Sequence, residues 1–245
     1  MSSARDVTFA RGDETLRGHL AAPDEAQDRP AIVLIPDVHG LSDLYRELAG
    51  RFAARGFATL AVDLYTREGA PTLGSPVEAM RWIAHLPDPR ILADLQAAVD
   101  FLAAPAGNAA KRLVGITGFC MGGQYALLAA CSLPGLSACV SFYGMLRYSQ
   151  TSELKPRSPL DAAADLGCAY LGIFGEEDAL IPMSDVAELR AKLEAAGKSF
   201  RIDSYAGCGH AFLNHTRPDA YRPQAAADAF ERAVRFFEAH LSART

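Results

Sequence analysis

The apolar positions of the chain follow two different periods. Near the N-terminus, residues 6–10 and 15–23 form two strand-like segments separated by the polar sequence RGDE, which predicts an antiparallel hairpin. From Ala31 onward, short continuous apolar runs such as AIVLIP alternate with segments whose apolar residues recur at helical spacing. A continuous apolar run is typical of a strand that is buried on both faces.

This alternation predicts an α/β fold in which a mostly parallel sheet is covered by helices on both faces. After the strand that begins at Ala31, strands are predicted at 57–65, 112–119, 137–144, 169–175 and 199–207, and helices at 42–56, 75–86, 89–104, 122–133, 182–197 and 220–241. No linker or repeat interrupts the pattern, so residues 1–245 are expected to form one domain. The Ser- and Pro-rich residues 146–167 are expected to be the most loosely held region and to flank a pocket.

The composition indicates a folded, acidic protein. Half of the 245 residues are apolar (50%), 22% are charged, and the net charge is −5, which argues against disorder. No cluster of lysine and arginine offers a surface for nucleic acid or acidic lipid, and no apolar run approaches the ~20 residues of a membrane span. Because the opening residues are polar, we expect a cytoplasmic protein, monomeric or homodimeric, with no nucleic-acid or membrane partner.

The five cysteines do not resemble a disulfide framework, since their number is odd and no C-x-x-C pair occurs. Cys131, Cys139 and Cys168 lie among small or apolar neighbours, which predicts packing residues in a reducing compartment. Cys120 differs from them because glycines surround it.

The sequence LVGITGFCMGGQYALLAA, residues 113–130, joins a predicted strand to a predicted helix. Residues 118–122, GFCMG, fit the nucleophile elbow G-x-S-x-G with cysteine in place of serine. The glycines let the strand and the helix approach closely, and the side chain at the apex projects over the sheet edge where open α/β folds bind ligands. A helix N-terminus also favours a thiolate. Cys120 is therefore the candidate nucleophile, and a small buried cysteine at a turn is the alternative.

A cysteine nucleophile needs a base, and the base needs a group that orients it. In this type of fold the acid and the histidine follow the nucleophile in chain order. Asp178 follows the predicted strand AYLGIFG and His210 follows SFRIDSYAG, so both are expected at the sheet edge that holds Cys120. Glu176 or Glu177 replaces Asp178 if the loop is shifted. A helix-capping aspartate and an ordinary loop histidine are the structural alternatives.

A tetrahedral oxyanion requires N–H donors beside the nucleophile. The amide of Met121, the residue after Cys120, is predicted to be one donor. The other is expected from the loop IPDVHGLSD, which follows the first parallel strand. Val38 is the candidate there because Gly40 allows the loop to fold in close.

Three motifs carry a resemblance to a known family. The sequences GFCMGG, GEEDALIP and GHAFLNHTRP together resemble the dienelactone hydrolase family of the α/β-hydrolase superfamily, and the similarity extends from IVLIPDVHGL to the final helix. The resemblance implies an α/β-hydrolase fold, a triad of Cys120, His210 and Asp178, and no cofactor. It also implies hydrolysis of a lactone or ester through an acyl thioester.

One position departs from the family pattern. The family commonly has glutamate after the early strand, where it interacts with the thiol before substrate arrives, and this chain has Asp37 there. Our hypothesis is that Asp37, one methylene shorter, still faces Cys120 and helps to set its protonation. The alternative is a loop carboxylate that caps the following helix.

Further residues are candidates for the substrate pocket. His39 lies in the same loop, and Tyr143 ends the strand beside the elbow, where a core aromatic is the competing interpretation. In the enzymes that gave the family its name, an arginine just after the histidine helps to hold a substrate carboxylate, but this chain has Asn214 there. Arg217 and Arg81 are the other arginines considered, and a solvated helix residue is the alternative for Arg81.

Together the residues predict a hydrolase of a lactone or an activated carboxylic ester, of the carboxymethylenebutenolidase type, that acts on a small molecule. The alternatives are a general carboxylesterase or thioesterase on the same triad, and a non-catalytic α/β-hydrolase-fold binding protein. The complete set of nucleophile, acid and base argues against the last. The spacing of Cys208, His210 and His215 lacks a fourth metal ligand, so no metal is expected.

Overall fold

Eight strands form the central layer of the structure, a computed structural model that describes residues 2–23, 29–104 and 112–242. In chain order they are β1 (Ser2–Arg11), β2 (Glu14–Pro23), β3 (Ala31–Ile35), β4 (Ala58–Asp63), β5 (Val114–Phe119), β6 (Leu136–Phe142), β7 (Ala169–Gly175) and β8 (Phe200–Tyr205). Across the sheet the order is β1-β2-β4-β3-β5-β6-β7-β8. The β1–β2 and β2–β4 pairs are antiparallel, and the remaining pairs are parallel.

Helices cover both faces of this sheet. They are α1 (Asp43–Ala53), α2 (Pro76–His85), α3 (Asp88–Ala103), α4 (Met121–Ser132), α5 (Pro159–Ala162), α6 (Met183–Ala195) and α7 (Pro223–His240). On one face α1 packs against α7, where the ring of Phe52 contacts Phe230 and Phe237. On the other face α3 contacts α4, and α5 lies between α4 and α6. The predicted α/β-hydrolase fold with an N-terminal antiparallel hairpin is confirmed.

The inner strands are apolar because they are covered on both sides. All five residues of β3 are fully buried, and so are all six of β5, which explains why their sequences show no alternation. The parallel strands all end at the same edge of the sheet. The loops after β3, β5, β7 and β8 therefore meet there, as the sequence predicted for the candidate residues. Among the described helices, none combines the length and apolar character needed to cross a bilayer.

Residues 146–167, expected to be the most loosely held region, are instead fixed at several points. They contain α5 and a short 3-10 turn at Ala163–Asp165. The side chain of Lys155 is buried and forms an ion pair with Asp88 at the start of α3. The backbone N–H of Leu160 donates to the carbonyl of Leu146 at 2.8 Å. The Ser and Pro content of the segment therefore reflects irregular backbone and not weak attachment.

Glycines let β5, α4 and the neighbouring strands approach closely around the elbow. A Cβ atom on Gly118 would lie 2.0 Å from the carbonyl oxygen of Gly122, and one on Gly122 would lie 2.2 Å from that of Ile35. A Cβ on Gly123 would lie 2.6 Å from the carbonyl oxygen of Phe142. Backbone atoms cannot rotate away from such overlaps, so these positions exclude every side chain.

Replacing Gly118 by alanine should strongly destabilise the protein. The added methyl group overlaps backbone, and overpacking of a close contact costs about 3 kcal/mol or more when the backbone must move. Urea unfolding measures the change. Gly50→Ala is the matched control, because a Cβ at Gly50 in α1 has open space around it and should add about 0.5–1 kcal/mol of stability. Equal unfolding free energies for Gly118→Ala and the wild type would contradict this description of the elbow.

Candidate active site

Cys120 lies at the apex of a strained turn between β5 and α4. Its backbone has φ 56° and ψ −117°, a conformation that non-glycine residues rarely adopt and that costs of order 1–3 kcal/mol. Two hydrogen bonds hold it there: the N–H of Cys120 donates to the carbonyl of Phe142 at 3.0 Å, and its carbonyl accepts from the N–H of Gln124 at 3.1 Å. The thiol is half-buried and free of any disulfide. This geometry matches the predicted elbow.

Asp178 and His210 form a hydrogen-bonded pair at the same edge of the sheet, with the carboxylate fully buried and the imidazole partly buried. The Nδ1 atom of His210 lies 2.8 Å from Oδ2 of Asp178, whose side chain is fully buried. The other carboxylate oxygen, Oδ1, accepts the backbone N–H of Leu180 at 2.9 Å. Both oxygens of Asp178 are therefore held, which fixes the ring of His210. Glu176 and Glu177 are exposed, so the loop is not shifted and Asp178 is the carboxylate that meets the histidine.

The environment of His210 favours its protonated form. Burial opposes the charge on the imidazole, but the hydrogen bond with Asp178 and the interaction with Cys120 outweigh it and raise the pKa of His210 to about 10. The Nε2 atom is buried and has no hydrogen-bond partner within the described part of the chain.

Asp37 lies in the loop after β3. Its Oδ1 accepts the backbone N–H of His39 at 2.9 Å, and its carbonyl accepts the N–H of Gly40 at 3.0 Å. The pKa of the Tyr45 phenol is raised by burial, and also by the charge of Asp37 and a hydrogen bond with it. The interaction with Cys120 raises the same pKa further. Asp37 and Cys120 therefore act on the same buried phenol. The alternative of a cap for α1 is wrong, since the N-cap residue of α1 is Ser42.

The two predicted oxyanion donors share one property, a backbone N–H that is not used by the fold. In the described part of the chain, the backbone N–H groups of Val38 and Met121 have no protein hydrogen-bond acceptor. The phenol of Tyr65 contacts both residues: it donates to the carbonyl of Val38 at 3.0 Å and lies 3.6 Å from the sulfur of Met121. Tyr65 thus ties the loop after β3 to the start of α4. Gly40, with φ +80°, packs against the same ring.

Tyr143 contributes a buried wall next to the histidine. Its ring meets His210 edge-on at 5.4 Å and Phe212 at 5.6 Å between centroids. Its backbone has φ 38°, and its N–H donates to the carbonyl of Ile173 at 2.7 Å. Burial raises the pKa of Tyr143, with further increases from the charges of Cys120, Asp37 and Asp178. Tyr143 is therefore both a buried core aromatic and a direct neighbour of His210.

The remaining sequence candidates are exposed or form ion pairs with other side chains. His39 and Arg81 are exposed, and the exposed guanidinium of Arg217 pairs with Asp219 at 3.2 Å. His215 pairs with Glu47 at 2.9 Å. Within the described residues, no group of His, Cys, Asp and Glu side chains has the arrangement of a metal site.

Tyr45 and Tyr65 are the site residues that sequence analysis missed. Tyr45 occupies an apolar face of α1, where helical spacing indicates an ordinary core residue. Tyr65 follows β4 directly, at the same edge as the elbow. Its position after a parallel strand was a usable signal, because residues there approach the ligand-binding edge.

The fold and this site define an α/β-hydrolase with a cysteine at the nucleophile elbow. The profile of the dienelactone hydrolase family matches residues 16–241. The chain belongs to the dienelactone hydrolase family, and family membership makes it a hydrolase of lactone and ester bonds.

Relatives agree with this assignment over nearly the whole chain. A Bradyrhizobium sp. protein named "Probable 2-oxo-3-(5-oxofuran-2-ylidene)propanoate lactonase" is 36% identical over 96% of this chain and 94% of its own. A Methylorubrum extorquens protein named "Putative carboxymethylenebutenolidase" is 33% identical over 96% and 80%. The crystal structure of a dienelactone hydrolase homologue from Klebsiella pneumoniae superposes with a TM-score of 0.89 at 31% identity, covering 97% of this chain and 99% of that one.

Substituting Asp178 by asparagine should move the titration of His210 toward the ordinary histidine pKa. The wild-type pKa is raised from 6.5 to about 10, so the stability that the pair contributes is fully present below about pH 6.5 and is lost as the pH rises through about 10. NMR of the imidazole protons measures the midpoint. Glu177→Gln, one residue away and exposed, is the control and should leave the midpoint unchanged. An unaltered midpoint in Asp178→Asn would show that the carboxylate does not hold the proton.

Proposed function

We propose that the protein hydrolyses a lactone or an activated carboxylic ester with a Cys120–His210–Asp178 triad and an acyl-thioester intermediate. The observation that carries this proposal is the pair of His210 and the buried Asp178, 2.8 Å apart, at the sheet edge where Cys120 is held in a strained elbow. An imidazole with one nitrogen on a buried carboxylate and the other without a partner is the arrangement of a base that serves a nucleophile.

The reaction proceeds in two steps. The thiolate of Cys120 attacks the carbonyl carbon and forms a C–S bond, and the charge that develops on the oxygen is stabilised by the N–H groups of Met121 and Val38. Collapse breaks the C–O bond, and the imidazolium of His210 gives its proton to the leaving oxygen. His210, now neutral, takes a proton from water, which attacks the thioester and releases the acid and the thiolate. Asp178 holds the tautomer of His210 throughout.

The proposed substrate is a small lactone or ester with a good leaving group. The names of the two relatives describe a lactonase and a carboxymethylenebutenolidase, and a cysteine acyl-enzyme is suited to enolate and aryl-oxide leaving groups. We assign the wall of the substrate pocket to Tyr143, whose ring contacts His210, and to the loop that carries Asp37 and His39. A general carboxylesterase or thioesterase acting through the same residues is the second candidate.

Removing the nucleophile tests the mechanism and the substrate class together. Cys120→Ala should lower kcat by at least about a thousandfold, because the covalent step is lost while binding remains. Rates are measured on an unsaturated enol lactone, p-nitrophenyl acetate and an acyl-CoA. Cys131→Ala, which removes another half-buried thiol of α4, should retain the wild-type rate. Near-wild-type turnover by Cys120→Ala would refute the mechanism, and a preference for acyl-CoA would favour the thioesterase.

We further propose that Asp37 tunes the thiol. Asp37 lies in the loop after β3, at the sheet edge that holds Cys120, and both residues raise the pKa of the buried phenols of Tyr45 and Tyr143. A negative charge near a thiol opposes its ionisation until the carboxylate turns away or is protonated.

Substituting Asp37 by asparagine should therefore shift the alkylation of Cys120 by iodoacetamide to lower pH. The rate constant is measured from pH 4 to 10, a range of about six units around the thiol transition, with peptide mass spectrometry to confirm the site. Asp100→Asn, an exposed carboxylate on α3, is the control and should leave the profile in place. Superimposable profiles for Asp37→Asn and wild type would remove the tuning role without affecting the triad.

A further inference from the structure

A buried ion pair lies beside the active site and has no part in the proposed chemistry. The ammonium of Lys155, only 4% exposed, donates to Oδ1 of Asp88 at 2.6 Å and to the hydroxyl of Tyr125 at 2.8 Å. Asp88, at the start of α3, is 2% exposed. The ammonium also lies 5.0 Å from the ring centroid of Tyr125 and 5.2 Å from that of Tyr148. All four side chains belong to one enclosed polar cluster.

The cluster reaches the first turn of the nucleophile helix through Tyr148. The hydroxyl of Tyr148 donates to Oδ2 of Asp88 at 2.9 Å and accepts from Nε2 of Gln124 at 2.9 Å. Gln124 is fully buried in α4, and its backbone N–H donates to the carbonyl of Cys120 at 3.1 Å. Hydrogen bonds therefore connect Lys155 to the side chain of Gln124, and the backbone of the same residue is bonded to Cys120 in the elbow.

Residues 144–158, which include Tyr148 and Lys155, contact the first turn of α4 at a second point. Gly144 packs against Gly123 of α4 so closely that a Cβ on Gly144 would lie 2.4 Å from the Gly123 carbonyl carbon. From there the chain continues to Tyr148, whose N–H donates to the hydroxyl of Ser158 at 3.0 Å, and Asp88 N–H donates to the carbonyl of Leu154 at 2.9 Å. Residues 144–158 thus contact the first turn of α4 at both Gly123 and Gln124.

Stability alone does not account for such a pair. Removing two charges from water is costly, and replacing a buried ion pair by apolar residues of similar volume is often neutral or stabilising. What the pair provides is a single geometry, because its hydrogen bonds are satisfied only when α3, α4 and residues 144–158 occupy fixed positions. The turn that it fixes, Met121–Gln124, begins with the N–H group assigned above to the oxyanion.

We infer that Lys155 and Asp88, acting through Tyr148 and Gln124, are positioning residues that hold the first turn of α4 so that the N–H of Met121 faces the substrate oxyanion. This inference rests on the proposed function. Donor placement matters at the scale of ångströms, since removing one oxyanion donor costs about 10²–10³ in kcat and a small displacement costs part of that. The network influences turnover without touching the thiol, the imidazole or the substrate.

Tyr148→Phe tests whether the ion pair acts on α4 through the Tyr148 hydroxyl, and it changes the shape of the side chain very little. It deletes the hydroxyl that joins Asp88 to Gln124, and it should lower kcat on p-nitrophenyl acetate by about tenfold, a fraction of the loss of a whole oxyanion donor, with KM nearly unchanged. Alkylation of Cys120 by iodoacetamide should keep the wild-type pH profile, because displacement of iodide forms no oxyanion. Arg157→Met is the control: it removes an exposed cation of the same segment that pairs with Asp165, and should change neither measurement.

The double variant Lys155→Met with Asp88→Leu separates positioning from folding. Its melting temperature should equal or exceed that of the wild type, whereas kcat should fall as in Tyr148→Phe. Wild-type kcat in a folded double variant, or a loss of alkylation in parallel with turnover, would overturn the inference. Cys120→Ala is measured alongside these variants. Normal turnover by Cys120→Ala would contradict the proposed function. If Cys120→Ala is inactive and Tyr148→Phe has the wild-type kcat, only the positioning role fails.

Discussion

The close approach of backbone around Cys120 is the constraint on which the rest of the site depends. Gly118, Gly122 and Gly123 bring β5, β3 and β6 against α4 with no room for a methyl group. This packing forces Cys120 into a conformation that an isolated peptide avoids, and so raises the sulfur above the sheet edge. The strain is maintained because the hydrogen bonds to Phe142 and Gln124 hold both sides of the residue.

Charge then gives the elbow its chemistry. Burial opposes the charge on His210, but the hydrogen bond with Asp178 and the interaction with Cys120 outweigh it and raise the pKa of the imidazole. In the mechanism proposed above, the proton on this imidazole passes to the leaving oxygen. Asp37 is a second carboxylate of this region, and its charge raises the pKa of both Tyr45 and Tyr143.

Much of the fold and the order of the candidate triad could be predicted because their signals are local. Continuous apolar runs identify strands buried on both faces, and GFCMG identifies the turn between one of them and a helix. Asp178 and His210 could be predicted for a related reason, since each follows a strand whose end must lie at the same edge of the sheet. The contribution of Tyr45 was hidden because an aromatic at helical spacing has the same pattern whether it lines a site or fills a core. The pair of Lys155 and Asp88 joins residues 67 apart in sequence, and no local pattern marks a lysine in a Ser- and Pro-rich segment as buried.

The most direct measurement of the central claim is to trap the acyl group during turnover. His210→Gln, which slows the attack of water, is mixed with p-nitrophenyl acetate, quenched in acid and analysed by peptide mass spectrometry. We predict one acetyl group on the peptide that contains Cys120, released by neutral hydroxylamine as a thioester is. Acetylation of a different residue in step with product release, or turnover with no covalent adduct at all, would contradict the account.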